Sequence, residues 1–108
     1  RRLRALAVAS AQPSSLFPGL PTVAATGLPG YEYSAVYGVF APAKTPEAVI
    51  KRLNQEFVRV LNRADVKERF INGGVEPVGS SPEQLTTKMK YDMARLGKMI
   101  KDLGLRAE

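Results

Sequence analysis

The chain has 108 residues, a formal net charge of +6, no cysteine and no histidine. The missing cysteines exclude disulfides and thiolate chemistry from these residues, and the missing histidines remove the commonest general base and metal ligand. A catalytic site would have to rest on carboxylates, Lys, Tyr or Ser. Because no phosphate-binding Gly-rich loop and no metal-ligand constellation occurs in the sequence, we predict a protein that is not an enzyme and that carries no cofactor and no metal.

The first predicted element is a buried strand over residues 3–10, LRALAVAS. Apolar side chains occupy both alternating faces apart from Arg4, which is typical of a strand covered on both sides in a parallel sheet. Residues 11–21 are rich in Gln, Ser, Pro and Gly, and this composition predicts an ordered loop. Thr22 is expected to cap a short helix that ends at Gly27.

The second predicted strand covers residues 31–40, YEYSAVYGVF. In its first half, aromatic and alanine residues alternate with Glu32 and Ser34, which leaves one polar face. Beyond Val36 both faces are apolar or Gly. The pattern predicts a strand that leaves a partly solvated place and enters a buried one, as a strand between two lobes would.

The sequence Thr45-Pro46-Glu47 predicts the start of a first helix. Thr45 can cap, proline suits the first turn, and the carboxylate of Glu47 complements the positive end of the helix. An apolar stripe then continues to about Leu61.

A second, shorter helix is predicted from Asp65 to about Ile71, with residues 72–74, NGG, as its left-handed stop. Residues 75–78 would follow as a short strand that is either an edge strand or irregular, because Pro77 cannot donate to a ladder.

The third and longest helix is predicted to begin at a capping box formed by Ser81 and Gln84. Its apolar positions continue to about Leu103, and Gly104 is the expected stop. Gly97 lies inside this helix, where glycine costs about 1 kcal/mol relative to Ala, so we expect a neighbour to pack closely against it.

Five of these motifs resemble, in order and spacing, the C-terminal third of a Bug-type receptor, the substrate-binding protein of tripartite tricarboxylate transporters. They are RALAVAS, PTVAATGLPGYE, YGVFAPAKTP, GGVEPVGSSPEQ and the long final helix. The chain departs from this family at two positions. The family often has Trp where this chain has Val36, and often Gly where it has Lys44.

The resemblance implies an α/β fold, in which this chain is part of a two-lobed, type-2 periplasmic-binding-protein-like structure with two or three short strands and about three main helices. Residues 1–30 would finish the second lobe. Residues 31–42 would form the crossing strand and hinge, and residues 43–108 would return to the first lobe, mainly as helices.

The function implied by the resemblance is that of an extracytoplasmic receptor, which captures a small carboxylate-containing solute and delivers it to the membrane permease subunits of the transporter. The resemblance also implies a periplasmic location, although no signal peptide occurs in the 108 residues. Because most ligand donors would come from residues outside this chain, we expect the chain alone to bind solute weakly. Strand 3–10 would lack its flanking strands, so we also expect self-association.

Three residues are the candidate ligand-binding residues of that receptor. Ser10 ends the first predicted strand, and ligands of open α/β lobes lie outside the carboxyl ends of strands. Ser34 and Tyr37 lie on the crossing strand, near where the interlobe cleft should open. The simpler alternatives are that Ser10 only begins a loop and that Tyr37 packs in the core.

A small basic helical interaction or nucleic-acid-binding module is the alternative function, since a clustered basic face can bind phosphates. Basic residues occur at the chain start, at Arg1, Arg2 and Arg4, and along the last helix, where they alternate with Asp92 and Asp102. This alternative predicts steeply salt-dependent binding to a duplex. A lobe of a hydrolase or transferase is a third possibility, which the missing bases disfavour.

Overall fold

A computed structural model describes residues 3–106, so Arg1 and Arg2, counted above among the basic residues, lie outside the described part of the chain. The helices are α1 (Glu47–Leu61), α2 (Ala64–Asn72) and α3 (Pro82–Asp102), and a 3-10 turn covers Ala24–Thr26. The prediction of about three main helices is therefore confirmed. None of the helices that these described residues form has the length and apolar character needed to cross a bilayer.

Helix α1 begins where the sequence predicts, but the predicted cap is wrong. The N-cap residue is Pro46, which makes no side-chain capping bond. The Thr45 hydroxyl instead donates to the Pro42 carbonyl oxygen at 2.8 Å, and the Thr45 N–H donates to the same oxygen at 3.2 Å. Thr45 therefore closes the turn before the helix, and its hydroxyl is used there.

That turn contains Lys44 with φ 68°, the one described non-glycine residue with a positive φ. A left-handed conformation costs an L-residue about 1–2 kcal/mol, whereas glycine adopts it freely. We therefore expect Lys44→Gly to raise the free energy of unfolding by about 1 kcal/mol, measured by urea denaturation. Lys51→Gly, in the exposed interior of α1, is the matched control and should lower it by about 1 kcal/mol. Destabilisation by both changes would contradict this prediction.

Helices α2 and α3 both end as predicted, at a glycine with positive φ. After α2, Gly74 has φ 77°, its N–H donates to the Ile71 carbonyl and the Val75 N–H donates to the Phe70 carbonyl, both at 2.9 Å. Gly104 follows α3 with φ 65° and the equivalent pair of bonds. These paired bonds form a Schellman motif, which satisfies carbonyl groups that the helix end leaves open.

The predicted capping box at the start of α3 is also confirmed. The Gln84 N–H donates to the Ser81 hydroxyl oxygen at 3.2 Å, and the Ser81 N–H donates to the Gln84 side-chain oxygen at 2.9 Å. From α1, the Asn54 side-chain amide donates to the Ser80 carbonyl at 2.9 Å and fixes the residue that precedes this box.

We expect Ser81→Ala to lower the free energy of unfolding by about 1 kcal/mol, because the Gln84 N–H at the helix end loses the hydroxyl that accepts its hydrogen bond. Thermal denaturation followed by circular dichroism measures this loss. Ser81→Asp keeps a side-chain acceptor and should retain most of the stability. An equal loss from both substitutions would show that the box contributes little.

The prediction of two or three short strands is wrong, since the described residues contain no strand. Val8 and Thr22 form an isolated parallel bridge, in which the Val8 N–H donates to Pro21 and the Val8 carbonyl accepts from Val23, both at 2.9 Å. A strand needs a repeated ladder of such bonds with a neighbour. Residues 3–10, 31–40 and 75–78 do not find such a ladder among the described residues, whatever their apolar pattern.

The chain divides into two compact units. One contains the described residues up to Phe40 together with Arg63–Pro77, and therefore includes α2. The other contains Ala41–Asn62 and the described residues from Val78 onward, and therefore includes α1 and α3.

Burial is concentrated at the bridge in the first unit, where Val8 is 9% exposed and Thr22 is also buried. No residue of the three helices, as far as the structure describes them, is fully buried. Their apolar stripes are only partly covered: Ile50 and Leu96 are of intermediate exposure, whereas Phe57 of α1 is 45% exposed and Met93 of α3 is 71% exposed. The close neighbour predicted for Gly97 is absent from the described residues, since a Cβ atom built there meets nothing within 4 Å.

Candidate functional site

Ser10 lies on the wall of an open depression of about 310 Å³ in the first unit. Ser14 lines the same depression, together with Phe17, Leu20 and the small apolar residues between Ala5 and Ala9. The Ser10 hydroxyl donates to the Gln12 carbonyl oxygen at 2.6 Å and so stabilises the turn that leaves this segment. The depression is therefore mainly apolar, with two hydroxyl groups on its wall.

Ser34 lies next to a backbone contact that joins its segment to that of Ser10. The Tyr33 N–H donates to the Ala9 carbonyl oxygen at 2.8 Å, so the residues that precede Ser34 and Ser10 are bonded to each other. Tyr37 follows three residues after Ser34 and is 84% exposed. The structure thus brings the segments of the two serines together, and a ligand-binding role for Ser10, Ser34 and Tyr37 stays a prediction.

A second group of polar residues in the first unit was not predicted from the sequence. The Glu76 Oε1 atom accepts hydrogen bonds from the Ser14 hydroxyl at 2.9 Å, the Ser15 hydroxyl at 2.7 Å, the Ser15 N–H at 2.6 Å and the Leu16 N–H at 3.3 Å. Four donors from three consecutive residues therefore meet at one carboxylate oxygen. We call residues 14–16 the serine turn.

Local structure on both sides positions this contact. In the serine turn, the Leu16 N–H also donates to the Ser14 hydroxyl at 3.2 Å, and the Phe17 N–H donates to the Ser14 carbonyl at 3.3 Å. Glu76 follows the Schellman motif at Gly74, which fixes the direction of the chain beyond α2. The sequence shows a serine pair and an isolated carboxylate, but it gives no signal that residues about 60 positions apart are partners.

The four donors lower the pKa of Glu76 below its ordinary value of 4.5. The Ser15 hydroxyl contributes most, followed by the Ser14 hydroxyl and, more weakly, the N–H groups of Ser15 and Leu16, while partial desolvation acts in the opposite direction. Hydrogen bonds that favour the charged form have this effect on any carboxyl group. Glu76 is therefore an anion at neutral pH.

The lowered pKa predicts how acid affects this contact. Glu76 stabilises the folded chain fully above pH 4.5, and this contribution is lost as the pH falls through the lower pKa of the folded state. In a pH titration followed by NMR, the Ser15 N–H resonance should stay constant at neutral pH and move upfield at that pKa. A Glu76→Gln variant is the control and should lack this step. If the Ser15 N–H resonance does not move as Glu76 is protonated, the hydrogen bond between the two groups is contradicted.

The described basic residues do not form an unbroken cationic face on the helices. On α3, Lys88 pairs with Asp92 at 2.7 Å and Lys98 pairs with Asp102 at 2.5 Å. On α1, Glu56 pairs with two arginines. This interleaving disfavours a phosphate-binding surface on these helices. Among residues 3–106, no group of three or more acidic side chains is arranged to hold a metal ion.

Comparison with known proteins identifies the family. The family described as "Tripartite tricarboxylate transporter family receptor" matches residues 1–105. The UPF0065 protein in the tcbD-tcbE intergenic region of Pseudomonas sp. strain P51 is 39% identical over 108 residues, which are 99% of this chain and 32% of that protein. Protein BugT of Bordetella pertussis strain Tohama I is 32% identical over 104 residues, which are 96% of this chain and 32% of BugT.

The fold is shared with a solved structure, R. palustris Rpa4515 with adipate. The TM-score is 0.72 at 32% sequence identity, over 92% of this chain and 33% of that one. The chain thus spans about one third of the length of the proteins it matches. Although strands are absent from the described residues, this likeness supports the predicted binding-protein fold. Since the family match extends over almost every residue, the chain belongs to the receptor family of the tripartite tricarboxylate transporters.

Proposed function

We propose that the gene product carrying this chain is a periplasmic solute-binding receptor. It captures a small carboxylate-containing solute and delivers it to the permease subunits of a tripartite tricarboxylate-type transporter. The observation that carries the proposal is the family match over residues 1–105. The adipate in the Rpa4515 structure supports a carboxylate solute, because adipate is a dicarboxylate.

The side chains of the first unit are compatible with binding of this kind. Without histidine, an anion has to be stabilised by cationic side chains, backbone N–H groups, hydroxyl groups or ordered water. The serine turn offers N–H and hydroxyl donors to a carboxylate oxygen at 2.6–3.3 Å. Ser10 adds a hydroxyl on the depression beside it. Ser34 and Tyr37 are the further candidates, on the segment that is bonded to that of Ser10 through the Tyr33 N–H and the Ala9 carbonyl.

The proposed domain organisation follows the family resemblance. Residues 1–30 finish one lobe, residues 31–42 cross the hinge, and residues 43–108 return to the other lobe. The boundary between the compact units at Phe40 and Ala41 supports a crossing at this place, although Arg63–Pro77 groups with the first unit. A solute that makes extra contacts in the closed form would favour closure, and closure would give the permease a distinct state to bind.

The test begins with the gene product recovered from its native cell envelope, whose mass and N-terminal residues are determined. We expect a length similar to that of the relatives, of which this chain covers 32%. Titration calorimetry with adipate and citrate should then show micromolar binding to that product. The 108-residue chain is the matched comparison, and we expect its binding to be at least about 100-fold weaker, because most donors lie outside it.

Two results would contradict these expectations, the first for the receptor function and the second for the weak binding expected of the 108-residue chain. One is a native product that begins near Arg1 and binds duplex DNA with a steep salt dependence, since that is the behaviour of a basic binding module. The other is micromolar affinity of the 108 residues alone for a small carboxylate, which would place the whole site within this chain.

A further inference from the structure

The serine turn has the geometry of an anion-binding site, and in this structure an anion fills it. Two consecutive N–H groups, of Ser15 and Leu16, point at the same oxygen atom as two hydroxyl groups, of Ser14 and Ser15. Successive N–H groups that converge in this way form a concave site for anions. Bonds to a charged acceptor are shorter and stronger than bonds between neutral groups, and three of the four distances are below 3.0 Å.

The occupant of the turn is a side chain that can leave it. Glu76 and Ser15 are both exposed, so opening of the contact would uncover no apolar core. Water, or a carboxylate from solution, can therefore reach the donors once Glu76 moves away. Ser14 also lines the 310 Å³ depression, which leaves room beside the turn for the rest of a small ligand.

We infer that the serine turn is a carboxylate-binding site and that Glu76 is its internal ligand, which an external carboxylate must displace. The inference rests on the proposed function only for the identity of the natural competitor. The donors and their geometry belong to the described chain itself. Competition lowers the apparent affinity for the external ligand by the fraction of time that the turn is free.

The experiment uses the 108-residue chain and sodium acetate as the probe, with sodium chloride at equal ionic strength as the salt control. The N–H resonances of Ser15 and Leu16 are followed by NMR in the unaltered chain and in Glu76→Ala. If Glu76 fills the turn about nine-tenths of the time, Glu76→Ala should bind acetate about ten-fold more tightly than the unaltered chain.

Two further variants separate this effect from a general change in charge or folding. Glu68→Ala removes an exposed carboxylate of α2 and should leave the acetate affinity unchanged. The triple variant Glu76→Ala with Ser14→Ala and Ser15→Ala should lose at least about ten-fold in affinity, since charge-assisted bonds to both hydroxyl groups are gone. The N–H resonances of α2, which belongs to the same unit as the serine turn, report whether each variant remains folded.

The inference is overturned if Glu76→Ala shows no saturable shift of the Ser15 and Leu16 resonances, or if it binds acetate no more tightly than the unaltered chain. These results are separable from the proposed function. If the native gene product binds adipate with the same affinity before and after Glu76→Ala, the inference is contradicted and the receptor function is supported. If Glu76→Ala binds acetate more tightly but the native gene product binds no carboxylate, the inference is supported and the receptor function is contradicted.

Discussion

Replacing Val8 with Asp is expected to lower the opening free energy of the first unit by about 3 kcal/mol or more, because an unpaired carboxylate would occupy a buried apolar position. Val8 is only 9% exposed. Its N–H and carbonyl make the two bonds of the bridge with Pro21 and Val23, each 2.9 Å long. Hydrogen exchange of the Val23 N–H, which donates to Val8, measures the loss directly.

Leu6→Asp provides the matched control. Leu6 lies two residues earlier in the same apolar segment, but it is 66% exposed. The same substitution there should change the opening free energy by no more than about 0.5 kcal/mol. Because side chains two positions apart in an extended segment share a face, similar losses at both positions would mean that this face is covered along the segment, as the buried strand predicted from the sequence would be.

Two glycine substitutions are expected to have opposite signs. Gly97→Ala should raise the free energy of unfolding by about 1 kcal/mol, because Ala is the better helix former and the described structure leaves space for a Cβ atom. Gly74→Ala should lower it by at least about 1 kcal/mol, because φ is 77° there and L-residues are strained in that conformation. Urea denaturation should therefore separate the two variants by about 2 kcal/mol.

The comparison is well controlled, because neither site has a described atom within 4 Å of the added Cβ atom. The two substitutions then differ only in the backbone conformation that each glycine adopts. Destabilisation by Gly97→Ala would restore the original prediction that a neighbour packs closely against α3. Stabilisation by Gly74→Ala would mean that the helix end does not need a left-handed residue.

The helices could be predicted from the sequence because the forces that form and end them act over a few residues. The capping box of Ser81 and Gln84 joins residues three positions apart, and the Schellman motif after α2 involves residues within one turn. The observed bounds of α1, Glu47–Leu61, agree with the predicted ones. Thr45 is the exception, since its hydroxyl had a nearer acceptor in the preceding turn.

The strands could not be predicted in the same way, because an apolar pattern specifies which faces are covered and not whether a partner is present. In the segment over residues 3–10, the backbone hydrogen bonds to other described segments are made by Val8 and Ala9, which is too few for a ladder. The contact of Glu76 with the serine turn is non-local for the same reason. Residues about 60 positions apart are brought together by the path of the chain, and nothing in their local sequence marks them as partners.

The sequence by itself determined the family, the three helices and their ends, because these depend on motifs that each lie within a short stretch of chain. The tertiary structure alone decided which apolar side chain is buried, which backbone groups of the predicted strands find a partner, and that Glu76 fills the serine turn. Burial and hydrogen bonding between distant residues depend on how segments approach each other in space, and local patterns do not encode that approach.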